Sequence, residues 1–220
     1  MDFIHILILS AIQGITEFLP ISSQSHLILT SAFLGMKDQG LGFDIALHSG
    51  SLFAILIYYR KEIAKILSVS NEGIQYLKLI IIGSIPLPII GLLFVDSVST
   101  HMRSVESIAL MTIIFAFILY FADTKNKDTI SELKSISIFT IIFIGLMQTL
   151  AIMPGVSRAG IVITAALLAN YSREDSIKIA FLLSIPAIFM ATAYQSMQLY
   201  GVGDIQILNE HLLGMFLSFV

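Results

Sequence analysis

Long apolar runs alternate along this chain with short breaks rich in glycine, proline or charge, and the pattern predicts nine helices. They fall at about 2–19, 22–35, 43–60, 75–95, 105–122, 135–152, 157–170 and 174–195, with a ninth beginning near Ile207 and still apolar at Val220. A residue that precedes proline is pushed out of the α region, so Pro20 ends the first helix and Pro154-Gly155 separates the sixth from the seventh. Pro86 and Pro88 kink the fourth. Ser22 or Ser23 caps the second helix and Ser172 the eighth, where Glu174 and Asp175 suit the positive end of the helix dipole. The first two segments are each short of the ~20 residues a full span needs, so they predict a re-entrant hairpin rather than two crossings.

The two halves of the chain echo each other. Gln13…Pro20-x-x-Ser23 matches Gln148…Pro154-x-x-Ser157 once one residue is gapped, and Ser49 falls opposite Ser184. The offset stays at about 134–135 residues, the weak internal symmetry of membrane proteins built from repeats. Each unit holds one hairpin and three spans, and an odd number of spans makes the repeat inverted. Repeat one is expected at about 1–125 and repeat two at about 135–220, within a single membrane domain over 1–220. By analogy with the first unit, the second stops roughly a span and a half short at Val220, so truncation there is expected.

Charge tests that topology. With the first loop outside, Arg60, Lys61, Lys65, Lys78, Lys125, Lys127, Lys134, Arg173 and Lys178 share one side, and Lys37 and Arg103 the other. The basic side is the cytoplasmic one, so the first hairpin opens outward. Composition agrees: of 220 residues 56% are hydrophobic and 12% charged, with mean hydropathy +0.91, far from a soluble domain. A net charge of −3 points to no nucleic-acid partner, and the absence of cysteine excludes disulfides and thiolate metal sites. The apolar start, Phe3 to Leu9, lacks a basic flank and a cleavage site, so it is expected to be retained structure.

Ionisable groups at membrane depth are expensive and mark working sites by default. Gln13 and Glu17 share a helix face, as do Ser22 and His26, with Ser23 three before His26. A kinked helix bonding to its neighbours is the plainer alternative. In the second hairpin, Pro154-Gly155-Val156-Ser157-Arg158 feeds a helix N-terminus, a place suited to anions, and Arg158 adds a planar donor fork suited to phosphate. Its other reading is a structural pair with Glu17 or Asp44. In an inverted repeat the two hairpins meet near the midplane, which brings Glu17, Ser23, His26, Ser157 and Arg158 together. His48 and Asp44, four apart, either line that pocket or form an intrahelical pair. Such a set offers a cation suited to phosphate, an imidazole able to move a proton, and a carboxylate able to orient a nucleophile.

These stretches resemble a known family. Gln13, Glu17, Ser22, Ser23 and His26 are similar to an (E/Q)-x-x-x-E motif followed by Ser-Ser-x-x-His. Pro154, Gly155, Ser157 and Arg158 are similar to PGxSRSxxT. Both motifs belong to the undecaprenyl pyrophosphate phosphatases of the bacitracin-resistance type. Phe43 to Gly50, Ser172 to Asp175 and Phe181 to Pro186 also look like that family. The resemblance implies an all-α integral membrane enzyme of interlocked inverted repeats that removes the terminal phosphate from a polyprenyl diphosphate. It implies an outward-facing site in the plasma membrane and a divalent cation, Mg²⁺ or Ca²⁺, with Glu17 as the candidate metal ligand. Glu17, His26, Ser23 and Arg158 become the catalytic candidates, and Ser22, Ser157, Gly155, Arg158 and Gln13 the phosphate-binding ones. Whether Ser23, His26 or a water attacks is left open, as is a homodimer. The expected partners are the lipid diphosphate and membrane lipids. A lipid-phosphate transporter or an inactive lipid-binding relative is the alternative function. Two positions depart from the motif: Ala159 and Val162 stand where it has Ser and Thr. Val162, one turn beyond Arg158, is expected to cost a phosphate-binding hydroxyl.

Overall fold

The computed structural model describes residues 1–68, 70–126, 136–202 and 205–220, and they form helices joined by turns. The first hairpin is α1 (Phe3–Thr16) and α2 (Ser23–Phe33); α3 is Leu41–Tyr58. The short amphipathic helix α4 (Arg60–Leu67) was not anticipated, because its apolar positions are interleaved with Arg60, Lys61 and Lys65. The fourth apolar run is interrupted at Pro86 with Ile85 still in helical backbone (φ −58°, ψ −44°), the kink expected there. α5 (Asn71–Ser84) stops short of it, and α6 (Pro86–His101) starts with proline in its first turn, where the missing N–H costs nothing. Next come α7 (Val105–Lys125), α8 (Ile138–Gln148) with a 3-10 turn at Thr149–Ile152, α9 (Arg158–Leu168), α10 (Arg173–Val202) and α11 (Ile205–Phe219). Of the expected charged linker, positions 127–134 lie outside the described residues.

Among the described residues four stretches are long and apolar enough to cross a bilayer: Leu41–Tyr58, Gly73–Val98, Val105–Lys125 and Arg173–Gln198. The chain is thus a multi-pass membrane protein, and the remaining apolar helices are too short to span alone. α6 and α7 turn Leu92, Leu93, Phe94 and Phe117 outward, as lipid-facing helices do.

Two apolar clusters hold the helices. Leu79, Ile141, Ile144, Ile161, Val162 and Leu183 anchor the larger, around α9; Ile6, Leu9, Leu27, Phe43 and Leu47 form the smaller, under the first hairpin. Glycines set the closest crossings. A Cβ on Gly145 of α8 would lie 2.6 Å from the Gly83 carbonyl oxygen of α5, and one on Gly50 of α3 would collide with Met215 and Ser218 of α11. Small residues let membrane helices approach this closely, and Ser218 Oγ then donates to the Leu47 carbonyl across the gap (2.8 Å).

Candidate active site

α1 is started by Asp2, whose carboxylate accepts from the His5 amide (2.8 Å), and ends at Glu17, three residues before Pro20. The chain then turns through Ser22, which takes a left-handed conformation (φ 61°). That backbone region costs a non-glycine residue about 1–3 kcal/mol and is concentrated at functional turns. Ser22 Oγ accepts from the amide and hydroxyl of Ser25, capping α2 and leaving Ser23 as its first residue.

The second hairpin is built differently. After the 3-10 turn, Gly155 adopts φ +101°, and any Cβ there would meet the Ile108 carbonyl oxygen at 2.7 Å. Only glycine permits that close approach to α7, and Thr112 Oγ1 bonds the Gly155 carbonyl (3.3 Å). Ser157 caps α9, its Oγ accepting from the Gly160 amide (3.1 Å), and Arg158 is the first helical residue.

The turns meet at one ion pair. Arg158 Nη2 donates to Glu17 Oε1 across 141 positions of sequence. Glu17 Oε2 accepts from Gln13 Nε2 (3.0 Å) and from Ser23 Oγ (2.6 Å). His48 Nε2, from α3, lies 3.2 Å from Glu17 Oε2 and 3.3 Å from Ser23 Oγ. The Glu17 side chain is 3% exposed, and Arg158 Nη1 is buried without a partner among the described residues. Two cavities flank the pair. One of about 60 Å³ is lined by Ser22, Ser23, His48, Ser157 and both charged residues. The other, about 540 Å³, is mainly apolar, with Ala116, Leu119, Ile163, Leu167 and Phe181 among its walls, and it too borders Glu17 and Arg158.

Several expected residues are elsewhere. Gln13 is fully buried and lines neither cavity; both its amide hydrogens are spent, on Glu17 and on Ser51 Oγ (3.1 Å), so it holds the carboxylate rather than a phosphate. Gly155 shapes the turn against α7 and also stands back from the cavities. His26 does not reach Glu17: its Nδ1 bonds the Ser22 carbonyl within its own turn (2.9 Å). The imidazole at the carboxylate is His48. The i,i+4 spacing of Asp44 and His48 was its visible signal, and their contact is through the backbone, His48 Nδ1 donating to the Asp44 carbonyl (2.7 Å). Val162 is completely buried in the larger apolar cluster, so a threonine hydroxyl there would not face phosphate, whereas Ala159 lines both cavities. Thr164 is likewise spent, on the Gly160 carbonyl (2.7 Å).

A metal cage made by protein alone does not fit. Among the described residues no cluster of three or more His, Asp or Glu side chains could hold an ion, and both Glu17 oxygens already have donors.

The bacitracin resistance protein BacA family model matches residues 6–220. The chain is 45% identical to an undecaprenyl-diphosphatase of Teredinibacter turnerae, over 90% of this chain and 78% of that protein. It is 43% identical to undecaprenyl-diphosphatase 1 of Pseudoalteromonas translucida, over 100% and 86% respectively. With the undecaprenyl-diphosphatase of Thioalkalivibrio sulfidiphilus the identity is 44%, over 89% and 76%.

Proposed function

We propose the following chemistry from the premise that this chain belongs to the bacitracin resistance protein BacA family. It is an undecaprenyl-diphosphatase, hydrolysing undecaprenyl diphosphate to the lipid monophosphate and inorganic phosphate and so recycling the lipid carrier of cell-wall synthesis. One observation carries the assignment of the site: Glu17 and Arg158 border a small polar cavity and a large apolar one at once. That is the shape of an amphiphile with a compact anionic head. The diphosphate enters the polar cavity and the first isoprene units lie in the apolar one.

Arg158, which lines the polar cavity at the N-terminal end of α9, faces the terminal phosphoryl group and offsets the charge that builds there. Ser157 and Ser22 add hydroxyls at the same wall. Ser23 Oγ attacks the terminal phosphorus while its proton passes to Glu17 Oε2, 2.6 Å away. The new Oγ–P bond replaces the anhydride P–O bond, and the lipid phosphate departs as an anion that needs no proton. Water then cleaves the phosphoserine, Ser23 recovers its proton and inorganic phosphate leaves. His26 Nε2 has no hydrogen-bond partner among the described residues and is the candidate to exchange protons with solvent. A divalent cation, Mg²⁺ or Ca²⁺, would be held by the substrate's phosphate oxygens with Glu17 and would supply further charge neutralisation.

We also read α1–α2 and α8–α9 as re-entrant hairpins of two inverted repeats. Their matching helix–break–helix form and their junction at Glu17–Arg158 support that reading. The bias of Lys and Arg supports a plasma-membrane site that opens outward. Because the chain lacks cysteine, single cysteines at Lys37 and Lys65 test the orientation with a membrane-impermeant thiol reagent. Position 37 should label in intact cells and position 65 only after permeabilisation; the reverse pattern contradicts it. The chemistry is tested by phosphate release from the purified protein, with and without chelator. Arg158→Ala and Glu17→Ala should each lower turnover by about 10²–10³-fold, the scale of losing one preorganised electrostatic group. Undiminished release in both rejects the site.

A further inference from the structure

We infer that His48 is a positioning residue that fixes the rotor of the Ser23 hydroxyl, a role that rests on Ser23 being the nucleophile. A serine hydroxyl carries one hydrogen and rotates freely unless its acceptors define a direction. Here two acceptors converge from separate helices. Glu17 Oε2 is 2.6 Å from Ser23 Oγ and His48 Nε2 is 3.3 Å from it, and these two atoms are 3.2 Å apart. His48 Nδ1 faces the Asp44 carbonyl at 2.7 Å, and a carbonyl can only accept, so Nδ1 carries a hydrogen and in that tautomer Nε2 is the acceptor. The Ser23 hydrogen therefore points into the wedge between carboxylate and imidazole. Its oxygen lone pairs are left directed away from that wedge, and Ser23 lines the polar cavity with Arg158 and Ser157. The shorter, charge-assisted contact marks Glu17 as the proton's destination, and His48 holds the direction.

The imidazole is itself held. Asp44, 1% exposed, is clamped by Arg103 Nη2 (3.0 Å) and Gln39 Nε2 (2.6 Å), and Gln39 Oε1 accepts from Ser31. This chain of contacts ties the first turn of α3, and with it the carbonyl that sets the His48 tautomer, to the segment between α2 and α3 and to the turn between α6 and α7. What the geometry asks of position 48 is an acceptor at the reach of Nε2, which a glutamine amide oxygen also supplies.

The test is steady-state kinetics of the full-length protein on undecaprenyl diphosphate, with His48→Gln, His48→Leu and Ser23→Ala compared beside thermal melting of each. His48→Leu should lower kcat about 10–100-fold with KM within twofold of the parent, the size of a misplaced reacting group. His48→Gln should recover kcat to within about fivefold of the parent, and all three should melt as it does. An undiminished kcat for His48→Leu overturns the inference, as does a His48→Gln variant that melts normally yet is as slow as His48→Leu. Ser23→Ala separates this from the reading beneath it: if that variant keeps its turnover, the nucleophile assignment fails first.

Discussion

Among the described residues two buried carboxylate–arginine pairs sit in different surroundings. Glu17–Arg158 and Asp44–Arg103 are alike in burial: the carboxylates are 3% and 1% exposed, and each guanidinium keeps one buried nitrogen without a partner among the described residues. They differ in company. Asp44 and Arg103 border neither cavity, and Arg103 divides itself between Asp44 and Asp38, which it grips through Nε (2.7 Å) and Nη2 (2.6 Å). Glu17 and Arg158 border both, and the carboxylate is bonded to a hydroxyl. A buried ion pair is weak evidence of function by itself; the cavity and the reactive neighbour make the difference.

The contrast can be broken most sharply by removing each arginine. Arg158→Ala should strand Glu17, lower the melting temperature and cost a further ~10²–10³-fold in phosphate release of the folded fraction. Arg103→Ala should likewise lower the melting temperature, since stranding Asp44 in the interior costs about 3–5 kcal/mol, but with kcat largely kept in the folded fraction. The serines bonded on either side give the next largest effect. Ser23→Ala should reduce turnover at least about 100-fold, whereas Ser31→Ala, which loses bonds to His5 and Gln39, should cost about 1–2 kcal/mol of stability and little rate.

The two departures from the family motif sharpen it further. Ala159→Ser places a hydroxyl on the cavity wall and should raise kcat/KM a few-fold, about 1 kcal/mol of a new hydrogen bond to phosphate. Val162→Thr buries a hydroxyl in the apolar cluster and should destabilise by about 1–3 kcal/mol without a gain in rate. The smallest effect belongs to Asp38, in the segment between α2 and α3. Burial alone would raise its carboxyl, but the Arg103 guanidinium and the Gly40 amide outweigh this and hold it below the usual aspartate range. A depressed carboxyl contributes stability above its unfolded pKa and loses it as pH falls through the folded one. Melting temperature should therefore drop on acidification through and below the ordinary aspartate range, and Asp38→Asn should make that drop shallower.

Much of this was legible in the sequence because membrane solvent makes errors visible. An apolar run long enough to span announces itself, and a carboxylate at Glu17 or a guanidinium at Arg158 beside a shorter apolar stretch demands a partner, so their meeting could be anticipated across most of the chain. Proline and serine likewise gave the breaks: Pro20 lies in the turn between α1 and α2, Pro86 opens α6 and Ser157 caps α9. What pattern could not give was direction. His26 and His48 both lie one helical turn from a polar residue, and which imidazole turns toward Glu17 depends on how α3 packs against the hairpin. Gln13 and Val162 share faces with the reactive residues, yet one spends its donors on neighbours and the other is swallowed by the core. Spacing names a face, and packing decides what that face meets.

The meeting of the two hairpins in one catalytic unit is tested most directly by a double-mutant cycle on kcat/KM with Glu17→Gln, Arg158→Gln and the pair together, each checked for normal melting. Residues that act as one unit lose little more together than the worse of them loses alone, so the double variant should fall within about fivefold of the slower single variant. A double variant whose loss equals the product of the two single losses would mean that Glu17 and Arg158 act independently, and would contradict the account.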